Sequence, residues 1–208
     1  MPLPLLQRGR SATPGHPRMH NAFDCLDSRR STPSRQLTVP GPDDATLLRM
    51  LQAAVRVPDH GKRVPFRFLR IAGNARDALG DAIAVRTLQR NPLASDAEIE
   101  KDRKRFSHAP MVIAVVARLG EDEKIPASER FSSASCVCFA LLQAAQAAGF
   151  GAQWLTGWPA YDNDVLRLLG LHDDEKIVGF IHVGTPKLEA PERDRPDAGA
   201  LLSDWSPA

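Results

Sequence analysis

One basic loop carries the side chains of this sequence that are best suited to hold an anion. The cationic or protonatable residues of the loop are Arg56, His60, Lys62 and Arg63. Pro58 and Pro65 bracket it, and each disfavours helical backbone at the residue before it. Such groups on one constrained loop would suit a phosphate or another charged part of a cofactor. Taken alone, the stretch favours a solvated surface turn, because a motif without structural context is only a hypothesis.

A second candidate anion site is the run Arg29-Arg30-Ser31, which follows a short amphipathic segment ending near Ser28. Two guanidiniums match the oxygens of a phosphate, and the hydroxyl can donate a further hydrogen bond. The alternative is a helix C-terminus whose cations complement the helix dipole. Taken alone, the run favours this second interpretation.

Motifs of metal sites, nucleophiles and nucleotide-binding loops are not found in the sequence. It contains no HExxH, no GxSxG, no P-loop and no GxGxxG after a strand. His172-Asp173-Asp174-Glu175 has the residue types of a metal site, but its position between a helix and a strand predicts a polar turn. Basic residues within 95–106 alternate with acidic ones, which indicates a salt-bridged helix face and argues against nucleic-acid binding.

Composition and charge place the 208-residue chain among globular proteins with one domain. Hydrophobic residues make up 43% and charged residues 25%, and a net charge of +2 provides no strong attraction to nucleic acid or membranes. The three cysteines form no CxxC pair, and Cys136 and Cys138 would point to different faces of a helix. We therefore expect reduced thiols and a cytoplasmic protein.

The two ends of the chain differ from the part between them. Residues 1–18 are rich in Pro, Arg and Gly, lack the apolar region of a secretory signal, and are predicted to be a disordered extension. Met19 is an alternative natural start, and residues 19–208 are predicted to form the folded domain with an extended tail. That tail begins after Pro186 and carries Leu201, Leu202 and Trp205. These apolar residues predict that it docks, for example on a partner subunit.

Local patterning predicts alternating helices and strands. Capping signals and apolar spacing predict helices that begin near Pro42, Gly73 and Ser95, and a further helix over residues 161–169. The predicted strands are residues 66–72, 111–117, 151–156 and 177–184. The longest apolar run, within 111–117, is too short to span a bilayer.

The longest predicted helix, residues 127–148, is the least amphipathic. From residue 132 onward it is small and apolar nearly all round, which is typical of a helix buried on every side. In a chain of this size, such a helix lies either at the centre of the fold or in a subunit interface.

Several of these features occur in an order that resembles a known family. After Arg29-Arg30-Ser31 come Pro58-Asp59-His60, then Gly149-Phe150-Gly151-Ala152, and last the strand and turn at 177–186. From residue 20 to about residue 190 the chain resembles the FMN-dependent nitroreductases, specifically the small single-domain NAD(P)H nitroreductases. The resemblance implies an α+β fold with a mainly antiparallel sheet, surrounding helices and a buried central helix. It also implies a homodimer with two FMN sites at the interface.

The resemblance implies roles for individual residues as well. Arg29, Arg30 and Ser31 would bind the phosphate and ribityl chain of FMN, and Arg56 and His60 would approach the flavin. The next turn would line the cofactor with Leu155, Thr156 and Gly157. The end of the alanine-rich helix would contact the nicotinamide cofactor through Ala145, Gln146, Ala147, Ala148, Gly149 and Phe150. No metal and no catalytic acid, base or nucleophile is expected.

One residue departs from the pattern of these enzymes. Members of this branch often have Arg-Ser-Gly after the tryptophan of this strand, whereas here Leu155-Thr156-Gly157 follows Trp154. Arg193 or Arg195 in the tail could replace the lost charge.

The implied function is hydride transfer from NAD(P)H to nitroaromatic, quinone or similar small acceptors by a ping-pong mechanism. The alternative, to which Leu155 gives weight, is a non-catalytic flavin-binding or flavin-storage protein.

Overall fold

An antiparallel sheet of five strands forms the frame of the molecule, which the computed structural model describes for residues 22–207. The strands are β1 (Leu37–Thr38), β2 (Phe66–Ala72), β3 (Met111–Arg118), β4 (Gly151–Leu155) and β5 (Glu175–Pro186). They run in the order β2, β3, β5, and the far edge of the long β5 pairs with both β4 and β1. The predicted mainly antiparallel sheet is confirmed. The predicted disordered extension, residues 1–18, lies outside the described residues.

Six α-helices are found within residues 22–207. They are α1 (Ala22–Asp27), α2 (Asp44–Ala54), α3 (Asn74–Arg90), α4 (Asp96–Arg103), α5 (Ala127–Ala147) and α6 (Asn163–Leu168). The capping box at Ser95 is present, with Glu98 bonded back to the Ser95 backbone. The helix predicted from residue 161 begins two residues later, because the Asp162 side chain accepts hydrogen bonds from the N–H groups of Asp164 and Val165.

Helices cover both faces of the sheet, which places the core in two layers. On one face, α2 and α5 pack on alternate residues of β3, among them Ile113 and Val115. On the other face, α3 and α6 pack on Val112, Ala114 and Val116. Since β3 points side chains into both layers, it is apolar from Met111 to Ala117, as predicted. Within the described part of the chain, no helix is both long enough and apolar enough to cross a bilayer.

Helix α5 is the central helix, and in the single chain one of its faces is open. Val137 and Leu141 are fully buried against the sheet, whereas Phe139 is 44% exposed and Cys136 is exposed beside it. The helix therefore lies at the centre of the α2–α5 layer but is not covered on every side by residues 22–207 of its own chain. Of the two settings predicted for it, the exposed apolar side favours a subunit interface.

The tail after β5 is attached to the body of the chain at its beginning. Ala190 is buried, and Glu192 forms an ion pair with Arg30. The apolar residues farther along the tail are exposed by 72–86% in the single chain, namely Leu201, Leu202 and Trp205. Docking of this part of the tail on a partner subunit stays a prediction.

Candidate functional site

The run Arg29-Arg30-Ser31 leads from α1 toward the sheet and forms one edge of a cavity of about 480 Å³. The lining residues are Arg29, Ser31, Phe139, Leu142, Trp154 and Thr156. One cation and two hydroxyls thus face three large apolar side chains. Small-molecule sites commonly have volumes of about 300–1,000 Å³ and combine apolar walls with a few polar groups, so the cavity can accept a cofactor.

Hydrogen bonds on both sides of Ser31 hold this segment in place. The N–H of Thr32 donates to the carbonyl oxygen of Ala152 on β4 at 3.0 Å. The N–H of Arg30 donates to Oε1 of Gln146 on α5 at 3.2 Å. Arg29 and Ser31 lie on the cavity side, where Nη1 of Arg29 donates to Oγ of Ser31 at 3.1 Å.

Arg30 points away from the cavity. Its Nη1 donates to the carbonyl oxygens of Asp27 and Arg29, and the same guanidinium forms the ion pair with Glu192 of the tail. Glu192 also accepts a hydrogen bond from Arg195 at 2.9 Å. The structure therefore separates the two neighbouring arginines, since one faces the cavity and the other binds the tail.

The half-buried Arg29 guanidinium has no acidic partner in the described part of the chain. The ion pairs of this region are formed by Arg30 and Arg195 with Glu192. Arg29 is instead hydrogen-bonded to the neutral hydroxyl of Ser31. A cation that is partly withdrawn from water is stabilised by a nearby negative charge. The cavity thus offers a place for an anionic group beside two hydroxyls.

The apolar wall of the cavity was not predicted from the sequence as part of the site. Trp154 on β4 donates from its indole Nε1 to the carbonyl oxygen of Val178 at 3.2 Å. Its ring lies against Gly179 of β5, where a Cβ atom would collide with the indole. Phe139 and Leu142 reach the same wall from α5. Their spacing of three residues puts them on one helix face, and this spacing is the feature of the sequence that could have indicated the wall.

Thr156 is the one residue of the predicted turn 155–157 that lines this cavity. Leu155 pairs with Phe180 on β5, and Gly157 has a positive φ of 89° and lies against the guanidinium of Arg105. Leu155 and Gly157 shape the end of β4 around the hydroxyl of Thr156. A cofactor contact by either residue stays a prediction.

The basic loop is attached to the beginning of α5. Nδ1 of His60 lies 2.7 Å from Oε2 of Glu129, and the hydroxyl of Ser133 donates to the carbonyl oxygen of Pro58 at 2.7 Å. Arg63 binds Asp122 at 2.6 Å and holds the pKa of that carboxyl well below its usual range. These contacts pin the loop while Arg56 stays exposed.

Two non-glycine residues of this loop have left-handed backbone. Lys62 has a φ of 52° and Val64 a φ of 48°, which is unfavourable for any L-residue and most of all for a β-branched one. The carboxylate of Asp59 accepts hydrogen bonds from the N–H groups of Arg63 and Val64, at 3.1 and 2.8 Å. Asp59 therefore holds the loop in a strained conformation, as is common at functional sites.

The loop and the cavity lie at different positions along α5. The loop contacts the helix at Glu129 and Ser133, whereas the cavity begins at Phe139, a further six residues or about 9 Å along the axis. Arg56 and His60 do not line the cavity of their own chain. The structure thus does not bring the two predicted anion-binding groups together within one chain.

The segment predicted to contact the nicotinamide cofactor is the end of α5 and the turn after it. Ala145 is buried, Ala147, Ala148 and Gly149 are exposed, and Phe150 is partly buried. Gly149 has a positive φ of 83° and ends the helix. Gln146 is bonded to the segment that borders the cavity. The exposed turn is therefore next to the candidate site, and the contact itself stays a prediction.

Other parts of the described chain are weaker candidates for the functional site. A larger cavity of about 960 Å³ lies between the start of α5, α6 and the start of β5, but it contains none of the predicted site residues. In the predicted polar turn, Glu175 is buried and accepts two hydrogen bonds from Arg67, which lower its pKa to about 2. Across residues 22–207 no group of three His, Cys, Asp or Glu side chains could hold a metal ion. Burial raises the pKa of the Cys138 thiol to about 12.

Known proteins resemble this chain in sequence or in fold. The profile of the Nitroreductase family matches residues 26–185. YdjA of Escherichia coli strain K12, by name an NAD(P)H nitroreductase, is 34% identical over 170 residues, which are 82% of this chain and 91% of YdjA.

Solved structures show the same fold at lower identity. A nitroreductase-like protein of Bacillus cereus superposes with a TM-score of 0.77 at 22% identity, over 92% of this chain and 99% of that chain. A Bacteroides fragilis nitroreductase with bound FMN gives a TM-score of 0.66 at 16% identity, over 88% and 98%. Because the family profile and a relative of 34% identity each cover most of the sequence, the chain belongs to the nitroreductase family.

Proposed function

We propose that this protein is an FMN-dependent oxidoreductase that transfers hydride from NAD(P)H to small oxidised acceptors such as nitroaromatics or quinones. Family membership makes the chain an NAD(P)H-dependent nitroreductase with FMN as cofactor. The observation that carries the proposal is the half-buried guanidinium of Arg29, which has no acidic partner among residues 22–207 and faces a cavity with two hydroxyls and an apolar wall. The bound FMN of the Bacteroides fragilis nitroreductase supports the same cofactor.

The polar and apolar walls suit different parts of FMN. Arg29 and Ser31 bind the phosphate, because a guanidinium and a hydroxyl give charge-assisted hydrogen bonds to its oxygens. Thr156 donates to the ribityl chain, and Trp154 and Phe139 exclude water beside the ring system. FMN, when bound, supplies the redox chemistry by accepting hydride from NAD(P)H and passing it on. The protein's task is therefore to bind, orient and polarise, which agrees with the lack of a predicted acid–base pair or nucleophile.

Arg56 and His60 contribute to the site of a second copy in a homodimer. Within one chain they lie on the loop beside the start of α5, away from the cavity, while the exposed face of α5 is available for pairing. In that arrangement the strained loop presents positive charge to the flavin of the partner. Positive groups aimed at developing negative charge favour reduction.

NAD(P)H approaches at the exposed turn after α5, and the acceptor uses the same space once NAD(P)⁺ has left. This shared space predicts ping-pong kinetics. The test is steady-state oxidation of NADH and NADPH by the FMN-loaded protein at several concentrations of a nitroaromatic and of a quinone. Parallel double-reciprocal plots are expected for both acceptors. Intersecting plots would indicate a ternary complex and would contradict a shared space.

A flavin-binding protein without turnover is the second candidate, since Leu155 lies where members of this branch often have an arginine. The two functions differ in a simple measurement. The enzyme bleaches its bound FMN with NAD(P)H and recovers the colour when acceptor is added, whereas a storage protein retains oxidised FMN. Failure to bind FMN at all would contradict both candidates.

A further inference from the structure

Gln146, in the last turn of α5, uses both ends of its side-chain amide on the segment that carries Arg29 and Ser31. Its Oε1 accepts a hydrogen bond from the N–H of Arg30 at 3.2 Å, and its Nε2 donates to Oγ of Ser28 at 2.9 Å. The Ser28 hydroxyl in turn donates to the carbonyl oxygen of Asp24 in α1 at 2.6 Å. One side chain thus joins the end of α5 to α1 and to the cavity edge.

The bond to Arg30 determines which way its neighbours face. The N–H groups of Arg30 and Thr32 are both fixed, the first by Gln146 and the second by the carbonyl oxygen of Ala152. Fixing the backbone on both sides of Ser31 leaves the cavity side to Ser31 and Arg29 and turns the Arg30 side chain toward the tail. Without the first bond, the backbone between α1 and Ser31 could rotate and either arginine could face the cavity.

We propose that Gln146 is a positioning residue for the phosphate of FMN, because it keeps Arg29 and Ser31 turned into the cavity. The inference rests on the proposed function, which assigns the phosphate to these two residues. Gln146 does not line the cavity and acts through the backbone it holds. Each of its amide atoms makes one hydrogen bond to this segment, which leaves one N–H of Nε2 and one lone pair of Oε1 for other contacts.

The test compares FMN with riboflavin, which lacks the phosphate. Apoprotein is titrated with each ligand, and flavin fluorescence gives the dissociation constants. Gln146→Met keeps the length of the side chain but removes both hydrogen bonds. We expect it to weaken FMN binding by about three- to thirtyfold, because binding must then order a segment that these two hydrogen bonds hold in the wild type, at a cost below their combined strength. Riboflavin binding should change by less than about twofold. Ser28→Ala, which removes one of the bonds, should give a smaller loss of the same kind.

Gln143→Met is the matched control. Gln143 lies one turn earlier on α5, and its amide has no hydrogen-bond partner in the part of the chain that the structure describes, so its loss should leave both affinities unchanged. A double variant with Arg29→Ala gives a second readout. If Gln146 acts through Arg29, Gln146→Met should weaken FMN binding less in that background than in the wild type.

Three outcomes would overturn the inference. Gln146→Met could leave FMN affinity unchanged, it could weaken FMN and riboflavin equally, or its effect could be fully additive with that of Arg29→Ala. Thermal unfolding of the apoproteins identifies a variant that fails to fold, and Ser28→Ala then decides the question. If the wild-type protein did not bind FMN, the proposed function itself would fail, which is a different result from normal FMN binding by Gln146→Met.

Discussion

Arg29 and Arg30 are neighbours with the same chemistry, yet their surroundings give them different tasks. Arg29 faces the cavity without an acidic partner in the described part of the chain, and Arg30 binds Glu192 of the tail. In the proposed site, the charge available to a phosphate therefore comes from Arg29. Arg30 contributes by holding the beginning of the tail beside the site.

Substitution of the two arginines should separate these tasks. Arg29→Ala removes a charge-assisted hydrogen bond of about 1.5–3 kcal/mol, so FMN affinity should fall by about tenfold to a hundredfold. Arg30→Ala should lower it by less than about fivefold, since an exposed ion pair contributes little. Titration of the apoproteins with FMN measures both, with Arg49→Ala on the exposed side of α2 as control. Equal losses for Arg29→Ala and Arg30→Ala would contradict the assignment.

A second residue-scale prediction concerns acid stability. Hydrogen bonds from Arg67 lower the pKa of Glu175 from its ordinary 4.5 to about 2. A carboxyl with a depressed folded-state pKa stabilises the fold above pH 4.5, and that contribution is lost as the pH falls from 4.5 toward 2. Glu175→Gln should lower the unfolding free energy by about 2 kcal/mol at pH 7, because a buried charge-assisted pair is broken.

Urea unfolding between pH 7 and pH 3 measures this contribution. The difference between wild type and Glu175→Gln should shrink as the pH falls below 4.5. Glu123→Gln, at an exposed position, should follow the wild type throughout. A difference that stays constant with pH would show that the carboxylate charge of Glu175 does not stabilise the fold.

At the scale of elements, the loop between α2 and β2 has a strained backbone and is attached to α5. Asp59 caps the left-handed backbone at Val64, and Glu129 of α5 holds His60. A flexible loop of the same sequence would spread its cations over many positions. The strain is therefore consistent with a loop that must present Arg56 and His60 in one arrangement.

Val64→Gly should relieve that strain. A β-branched residue with positive φ costs about 1–3 kcal/mol, and glycine adopts the same backbone freely. Val64 is 55% exposed, so little packing is lost, and we expect the unfolding free energy to rise by about 0.5–1 kcal/mol. Val85→Gly is the matched control, because Val85 is 57% exposed but helical, and this change should destabilise the protein. Chemical denaturation in which both variants lose stability would contradict the strain.

On the scale of the whole molecule, the described part of the single chain exposes apolar residues at two places that bear on assembly. One is the face of α5 with Cys136 and Phe139, and the other is the end of the tail with Leu202 and Trp205. Exposed apolar residues in groups mark interaction sites, and a homodimer would cover both surfaces. In the dimer that we propose, the basic loop of one chain lies near the cavity of the other.

Charge placed on the open face of α5 should therefore separate the subunits. Cys136 lies on this face but does not line the cavity, so Cys136→Glu tests the interface without altering the cofactor wall. Equilibrium sedimentation should show a wild-type dimer and a monomeric Cys136→Glu protein with reduced FMN content. Val85→Glu, on α3 at the opposite face of the sheet, should remain dimeric. A wild-type monomer that retains FMN at micromolar concentration would contradict the shared site.

Local interactions explain how much of the fold could be predicted from the sequence. The Ser95 capping box and the strand at 66–72 depend on contacts or periodicity within a few residues, so their boundaries can be predicted from the sequence. The polar turn before β5 is predicted for the same reason. The order of motifs such as Arg29-Arg30-Ser31 was enough to indicate the family, which the profile and YdjA then confirmed.

By itself, then, the sequence determined the helices and every strand but β1, the family and the residue types that can hold an anion. Only the tertiary structure decided which of them meet. Gln146 reaches Arg30 across 116 positions of the chain, and His60 reaches Glu129 across 69. No local pattern encodes such contacts, because they depend on how α5 lies over the sheet. The different orientations of Arg29 and Arg30, and the wall formed by Trp154 over Gly179, follow from that packing.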